Sequence, residues 1–195
     1  NDRFDMLGVL QGRSHADFGT PEYSTEPMVA HRKFEVCRGI GTSFGYMQFE
    51  DETSYIAIPD LIRMFVDIVA DGGNLLLNFG AMPGGWIPWA QQTRLLALGQ
   101  WLEVNGRAIY GSRPYESSTS TTGEGLRVRL TSGADGAVYA MVFGRPSNAT
   151  VTIADLPAGE VSLLGGSGSL TRRGDTVFLT VRPDDVPVWT LRIER

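Results

Sequence analysis

Apolar residues in the first half of the chain follow helical spacing in one segment and strand spacing in the next. Between Ile58 and Asp71 they fall on one face of a helix, at Leu61, Ile62, Phe65, Val66 and Val69. Gly72 and Gly73 then end the predicted helix. The run NLLLNFG that follows (residues 74–80) is short, continuous and bounded by turn residues. This pattern predicts a strand buried on both faces of a parallel sheet.

A second helix is predicted after this strand. It begins after Pro88, because proline suits the first turn of a helix, and it ends at Asn105-Gly106. Helix, buried strand and helix in this order form the unit of an α/β layer or barrel. A closed (β/α)8 barrel needs about 250 residues, many more than this segment offers. The α/β part is therefore predicted to be incomplete on its own.

The pattern changes from about Arg113 onward. Short stretches, many of them alternating, are separated by Gly, Pro, Asn and Asp clusters, and they are GLRVRLTS, AVYAMVFG, ATVTIADL, EVSLLGG, GSLTRR, TVFLTVR and PVWTLRIE. This spacing predicts an antiparallel β-sandwich. Its predicted core residues are Val128, Val142, Phe143, Val151, Ile153, Phe178, Val181, Trp189 and Leu191. Two domains are predicted, an α/β domain over residues 1–112 and an all-β domain over residues 113–195.

Composition excludes several classes of function. The chain has 195 residues, 42% of them hydrophobic, which is enough to bury a core. The net charge is −5 and no cluster of basic residues is longer than a pair such as Arg172-Arg173, so we expect no nucleic-acid partner. The apolar runs are too short to span a bilayer, so we expect a soluble protein and no membrane partner. With one cysteine and two histidines, we expect no disulfide, no metal site and no cofactor.

One acidic residue lies in an unusual context. In FGTPEYS (residues 18–24), Glu22 stands between Pro21 and Tyr23, in a stretch that is too short and too broken to be a helix, with Phe18 nearby. Most glutamates are simply exposed, so an acid on a surface loop is one interpretation. Its two aromatic neighbours, Phe18 and Tyr23, leave the role of this acid open at this point.

Three stretches carry a resemblance to a known family. FEVCRGIGTSFGY (34–46), VDIVADGGNLLLNFG (66–80) and IPWAQQTRLLALGQWLEVNGRAIYGSRP (87–114) closely resemble the α-L-fucosidases of glycoside hydrolase family 29. The resemblance covers residues 1 to about 115, and the β module that follows is similar in position and length. It implies the C-terminal part of a (β/α)8-like barrel followed by an antiparallel β-sandwich. The implied activity is hydrolysis of terminal α-L-fucose from glycans with retention of configuration.

The same resemblance implies roles for individual residues. Glu22 matches the general acid/base of bacterial members, and Arg3 in NDR matches an arginine that supports the active site. Phe44 matches an aromatic wall against the C5 methyl group of fucose, although packing in a glycine-framed bend is an alternative. Trp86 and Trp89 lie on the loop after the last barrel strand, where barrel enzymes place substrate contacts. They either stack on sugar or staple the start of the helix.

Departures from the family pattern concern the rim and the nucleophile. The common YNRNE is YMQFE here (residues 46–50), which puts subsite preference in doubt. The family's nucleophile lies upstream of residue 1, and Asp2, Asp5 and Asp17 do not match its motif. The chain is therefore expected to supply the acid/base half of the site. The expected partners are fucose or a fucosylated glycan, and either the N-terminal barrel segment or another chain; a homo-oligomer is left open.

A second function from another class also fits the sequence. Half a barrel cannot complete a mechanism that needs two carboxylates, so a non-catalytic carbohydrate-binding or assembly module derived from a fucosidase is the alternative. By family analogy, the expected location is extracytoplasmic (secreted or periplasmic) or lysosomal in type.

Overall fold

The computed structural model describes residues 17–24, 33–166, 170–179 and 186–195. Backbone proximity divides the chain into two compact units, Asn1–Ala97 and Leu98–Arg195. The first unit contains a small parallel sheet with helices, and the second contains antiparallel sheets.

The first unit is built around two parallel strands. Strand β1 (Glu35–Gly39) pairs in register with β2 (Asn74–Asn78), from Glu35 opposite Asn74 to Gly39 opposite Asn78. The extended segment 17–24 adds to the other edge of β1 through two parallel bridges, Gly19 with Phe34 and Glu22 with Cys37. The carboxyl ends of all three extended segments therefore meet at one edge of the sheet.

Helix α1 (Ile58–Ala70) connects β1 to β2. Pro59 stands in its first turn, and Gly72, with φ +83°, follows its end and donates its N–H to Val69 O. Its buried residues are Leu61, Ile62, Met64, Val66, Ile68 and Ala70. The predicted helix is confirmed to within one residue. Two of its predicted apolar positions, Phe65 and Val69, are only half-buried.

The predicted strand after α1 is confirmed, but its burial on both faces is wrong for the described residues. Every position of β2 is exposed or half-buried, and Leu76 is 51% exposed. The reason is that the described residues supply neither a second neighbouring strand nor a full cover for the two faces of β2. Side chains whose composition suits a covered strand therefore face solvent here.

Helix α2 (Trp89–Asn105) begins directly after Pro88, as predicted. A buried arginine, Arg94, joins the first turns of this helix to the segment that precedes α1: its Nε donates to Ile56 O at 2.6 Å, and its NH2 group lies 2.6 Å from Glu52 Oε1. The Gln91 side chain is also buried and accepts the N–H of Gly80 at 3.0 Å. The Gln91 contact holds the loop between β2 and α2, and the Arg94 contacts hold α2 against the segment before α1.

The described part of the second unit contains eight strands in two antiparallel sheets. The five-stranded sheet has the order β3-β4-β5-β10-β7, and the three-stranded sheet has the order β6-β9-β8. The strands are β3 (Arg113–Thr121), β4 (Arg127–Ser132), β5 (Val138–Phe143), β6 (Thr150–Thr152), β7 (Glu160–Leu163), β8 (Leu170–Arg173), β9 (Thr176–Leu179) and β10 (Val188–Glu194). The seven predicted strands are confirmed, and β3 is an additional one.

Side chains of both sheets form a common core. Seven of the nine predicted core residues are buried, among them Val128, Ile153 and Leu191, which are fully inaccessible. Phe178 is a wrong prediction. It is 39% exposed because its neighbours Val177 and Leu179 occupy the inward positions of β9, and successive side chains of a strand point to opposite faces. Val181 lies outside the described residues.

Truncation of a core side chain tests this assignment of faces. Leu191 lies at the centre of β10, between Ala140 of β5 and Leu163 of β7. We expect Leu191→Ala to lower the free energy of unfolding by about 2–5 kcal/mol, because the cavity forms in a fully buried site. Phe178→Ala is the matched control and should cost about 1 kcal/mol or less. Urea titration followed by circular dichroism measures both, and equal losses would contradict the assignment.

Candidate active site

The candidate site lies at the carboxyl ends of the parallel segments of the first unit. Three stretches meet there: the end of segment 17–24, the loop after β1 (residues 40–50) and the loop after β2 (residues 79–88). The loop after β1 is joined to the end of β2, because the side-chain amide of Asn78 donates to Phe44 O. Ligand sites of parallel α/β folds lie at this edge of the sheet.

Glu22 occupies the end of segment 17–24. The backbone on either side of it is hydrogen-bonded to β1, since Cys37 N donates to Pro21 O at 2.9 Å and Tyr23 N donates to Cys37 O at 3.2 Å. Glu22 itself is half-buried. Glu22 therefore belongs to an extended segment that is paired with the sheet, and it does not lie on a free surface loop.

Tyr23 links Glu22 to the loop after β1. Its ring centroid lies 5.3 Å from that of Phe44, at an interplanar angle of 60°. The guanidinium carbon of Arg38 lies 5.2 Å from the Tyr23 ring centroid, within the range of a cation–π contact. Burial lowers the pKa of the Arg38 guanidinium, and the Coulombic interaction with Tyr23 acts in the opposite direction. Glu22 and Phe44, both predicted from the sequence, are thus brought together through Tyr23.

The loop after β1 is closed by one carboxylate. Glu50 accepts hydrogen bonds from Thr42 N at 2.7 Å and Thr42 Oγ1 at 2.8 Å, which joins the two ends of the turn. Phe44 is 37% exposed between them. Met47 and Phe49, which replace polar residues of the common YNRNE pattern, are exposed on the same loop, Phe49 to 89%. The loop therefore presents an apolar surface at the edge of the sheet.

Both predicted tryptophans lie beyond β2 and are open to solvent. Trp86 is 72% exposed and Trp89 is 74% exposed. Trp86 is placed by a tight turn in which Gly85 N donates to Met82 O and Met82 N donates to Trp86 O, each at 2.8 Å. Rings this exposed bury little area against the start of α2. Among the described residues, neither tryptophan ring contacts Glu22 or Phe44.

Some predicted residues lie outside the described part of the chain. Arg3, Asp2 and Asp5 are among these, whereas Asp17 is described and exposed. Within residues 17–24, 33–166, 170–179 and 186–195, no group of three or more His, Cys, Asp or Glu side chains is arranged to hold a metal ion. No helix in that part of the chain is both long and apolar enough to cross a membrane.

Sequence reasoning missed two polar residues of the site, Arg38 and Asn78. Arg38 lies next to last on β1, and Asn78 is the last residue of β2. The signal that could have found them is their position, because polar residues at the carboxyl ends of parallel strands face the ligand edge of the sheet.

A half-buried carboxylate and aromatic side chains thus lie at the edge of the parallel sheet where α/β enzymes place their sites. The family model for alpha-L-fucosidase matches residues 1–107, so the chain belongs to the α-L-fucosidase family. The alpha-L-fucosidase of Dictyostelium discoideum is 36% identical over 154 residues, which make up 77% of this chain and 32% of that protein.

Solved structures give the same relationship. The crystal structure of Thermotoga maritima alpha-fucosidase in complex with a mechanism-based inhibitor has a TM-score of 0.78 at 34% identity, over 93% of this chain and 43% of that one. Its complex with fucose has a TM-score of 0.76 at 33% identity, over 92% of this chain and 43% of that one. The present chain thus spans about a third of the Dictyostelium relative and less than half of the Thermotoga structure.

Proposed function

We propose that the complete protein containing these residues is a retaining α-L-fucosidase that releases terminal α-L-fucose from glycans. The observation that carries the proposal is the placement of Glu22, half-buried at the carboxyl end of a sheet-paired segment and directly followed by the Tyr23–Phe44 aromatic pair. Membership of the family and the fucose complex of the Thermotoga relative support fucose as the sugar that is bound.

The fold of the first unit supports a role as part of a barrel. We infer that residues 1–112 are the C-terminal portion of a (β/α)8-like barrel and that residues 113–195 are the sandwich domain. The parallel β1–α1–β2 connection is the repeating unit of such a barrel. The open edge of β2 and the exposed Leu76 are what a strand presents when its neighbours belong to another segment. The N-terminal barrel segment, or another chain, would cover them.

In this mechanism Glu22 is the general acid and then the general base. An upstream carboxylate attacks the anomeric carbon, the glycosidic C–O bond breaks, and Glu22 gives its proton to the departing oxygen. Water then attacks the same carbon, Glu22 takes the proton from that water, and the bond to the nucleophile breaks. Two inversions give net retention. The two steps need two carboxyl groups and no cofactor.

The remaining predicted residues have supporting roles in this proposal. The family resemblance supports a role for Arg3, which lies outside the described residues, in the active site. The Phe44 ring provides an apolar surface for the C5 methyl group of fucose, which stands where other sugars carry a hydroxymethyl group. Trp86 and Trp89 offer open ring faces for sugar stacking, since each side chain is about three-quarters exposed.

The anomer released by the complete protein tests the proposal. When an aryl α-L-fucoside is hydrolysed in an NMR tube, we expect the α-fucose signal to appear first and the β signal to grow by mutarotation. Initial release of β-fucose would mean an inverting enzyme and contradict the mechanism. Binding of fucose without any release would favour the alternative, a non-catalytic carbohydrate-binding module.

A further inference from the structure

Tyr23 has a backbone conformation that a tyrosine adopts only under constraint. Its φ angle is +52°, in the left-handed region, which is unfavourable for a residue with a side chain because Cβ approaches the carbonyl oxygen. Such a conformation persists only where surrounding contacts enforce it. The backbone provides one of these contacts, because Tyr23 N donates to Cys37 O at 3.2 Å.

The side chain provides a second anchor at the end of β1. The N–H of Gly39 donates to the Tyr23 hydroxyl oxygen at 3.2 Å. A side chain at position 39 would destroy this contact, since a Cβ atom there would lie 2.8 Å from the Tyr23 hydroxyl oxygen and would also clash with Ser43 O. Gly39 is buried, so its N–H has no access to bulk solvent as a replacement partner. The absence of a side chain at Gly39 therefore allows the Tyr23 hydroxyl to approach the backbone N–H of Gly39.

The Tyr23 ring is held on its faces as well. Phe44 packs against it at 5.3 Å, and the Arg38 guanidinium lies over it at 5.2 Å. Arg38 is itself fixed, because its Nε donates to Gly39 O at 3.0 Å and its NH1 group contacts Met64 Sδ at 3.5 Å. Backbone, hydroxyl and ring of Tyr23 are thus all tied to β1 and its following loop.

We infer that Tyr23 is a positioning residue that holds the Glu22 carboxyl group at a fixed place relative to the Phe44 wall. The inference rests on the proposed function, and it adds a role to a residue that does no chemistry itself. Glu22 and Tyr23 share a peptide bond, so the three anchors of Tyr23 also set where the Glu22 side chain starts. Proton transfer to the departing oxygen depends on that placement, whereas departure of an activated leaving group does not.

Tyr23→Phe in the complete protein is the test, because it removes only the hydroxyl anchor and keeps both ring contacts. We expect kcat/KM for a fucosylated disaccharide to fall about tenfold, a part of the 10²–10⁴-fold that general acid catalysis provides. The value for a dinitrophenyl fucoside should change less than about twofold, since that leaving group needs no proton. Tyr55→Phe is the matched control, because the Tyr55 ring also lies 5.2 Å from an arginine guanidinium, that of Arg94. It should leave both values unchanged.

A double-mutant cycle separates positioning from a general loss of structure. In the Glu22→Ala background, Tyr23→Phe should have no further effect on the disaccharide, because there is no carboxyl group left to place. Equal losses on both substrates, or full additivity with Glu22→Ala, would overturn the inference and leave Tyr23 a structural residue. If the wild-type protein hydrolyses neither substrate, the proposed function fails and the inference falls with it. An active wild type with an unaffected Tyr23→Phe variant overturns the inference alone.

Discussion

Glu22→Ala in the complete protein is expected to slow release of fucose from natural glycans by about 10²–10⁴-fold, the usual range for loss of a general acid. The effect depends on the leaving group. A sugar alkoxide cannot depart without a proton, whereas an activated aryl fucoside should lose far less in the glycosylation step. Deglycosylation should slow for both substrates, because the same residue activates water. Pre-steady-state kinetics with the two substrates separates the steps.

An acid on the same segment provides the control. Asp17 is exposed, five positions before Glu22, and does not match the family's nucleophile motif, so Asp17→Ala should leave both steps unchanged. Equal slowing of natural and activated substrates by Glu22→Ala would make Glu22 a binding or structural residue. The acid would then have to be sought elsewhere in the protein.

The isolated polypeptide of residues 1–195 is expected to hydrolyse no fucoside at all. Family resemblance places the nucleophile outside this sequence, and a retaining mechanism cannot form its covalent intermediate without it. The relatives that match are also much longer, since the chain covers 32% of the Dictyostelium protein. Turnover of an aryl fucoside should therefore be detected for the longer protein and be at background for the 195-residue chain.

Two controls make that comparison meaningful. Intact mass must show that the tested polypeptide is the 195-residue chain, and circular dichroism must show that its sheets are folded. Turnover by a verified and folded 195-residue polypeptide would contradict the assignment of the nucleophile, and one of the acids inside the chain would then have to perform that role.

The elements that could be predicted from the sequence are those whose local pattern and tertiary burial agree. Helix α1 combines an apolar face, a first-turn proline and a terminal Gly72, and its predicted end differs from the observed one by one residue. The short alternating stretches of the second unit likewise carry both the period of a strand and turn residues at its ends. Local sequence therefore sufficed where the apolar pattern of an element and the turn residues at its ends agree, including in β5, which is buried along its whole length.

Strand β3 shows why other elements could not be predicted. Its sequence RPYESSTST has little apolar alternation and contains a proline, and most of its positions are exposed or half-buried. It lies at the edge of its sheet, and its register with β4 shifts between Pro114 and Thr119. An edge strand tolerates proline and polar side chains because only one of its edges is paired. Pairing with β4, a tertiary contact, defines this strand.

In the candidate site, too, some residues could be proposed from the sequence and others could not. Glu22 and Phe44 could be found because each lies in a distinctive short motif. The contact between the Tyr23 hydroxyl and Gly39 could not, since it joins residues 16 positions apart through a left-handed backbone and a missing Cβ atom. Arg38 could have been noticed from its position near the end of β1, but its contact with the Tyr23 ring is visible only in the folded structure.

Rescue of Glu22→Ala by azide tests the central claim most directly. Azide attacks without needing a general base, and it would enter the fucosyl-enzyme from the side that the acid/base carboxyl group has vacated. Because the intermediate of a retaining α-fucosidase is β-linked, a second inversion gives α-fucosyl azide. We expect azide to restore turnover of the activated aryl fucoside by Glu22→Ala and NMR to identify the product as α-fucosyl azide. No acceleration by azide, or β-fucosyl azide as the product, would contradict the assignment of Glu22 as the general acid/base.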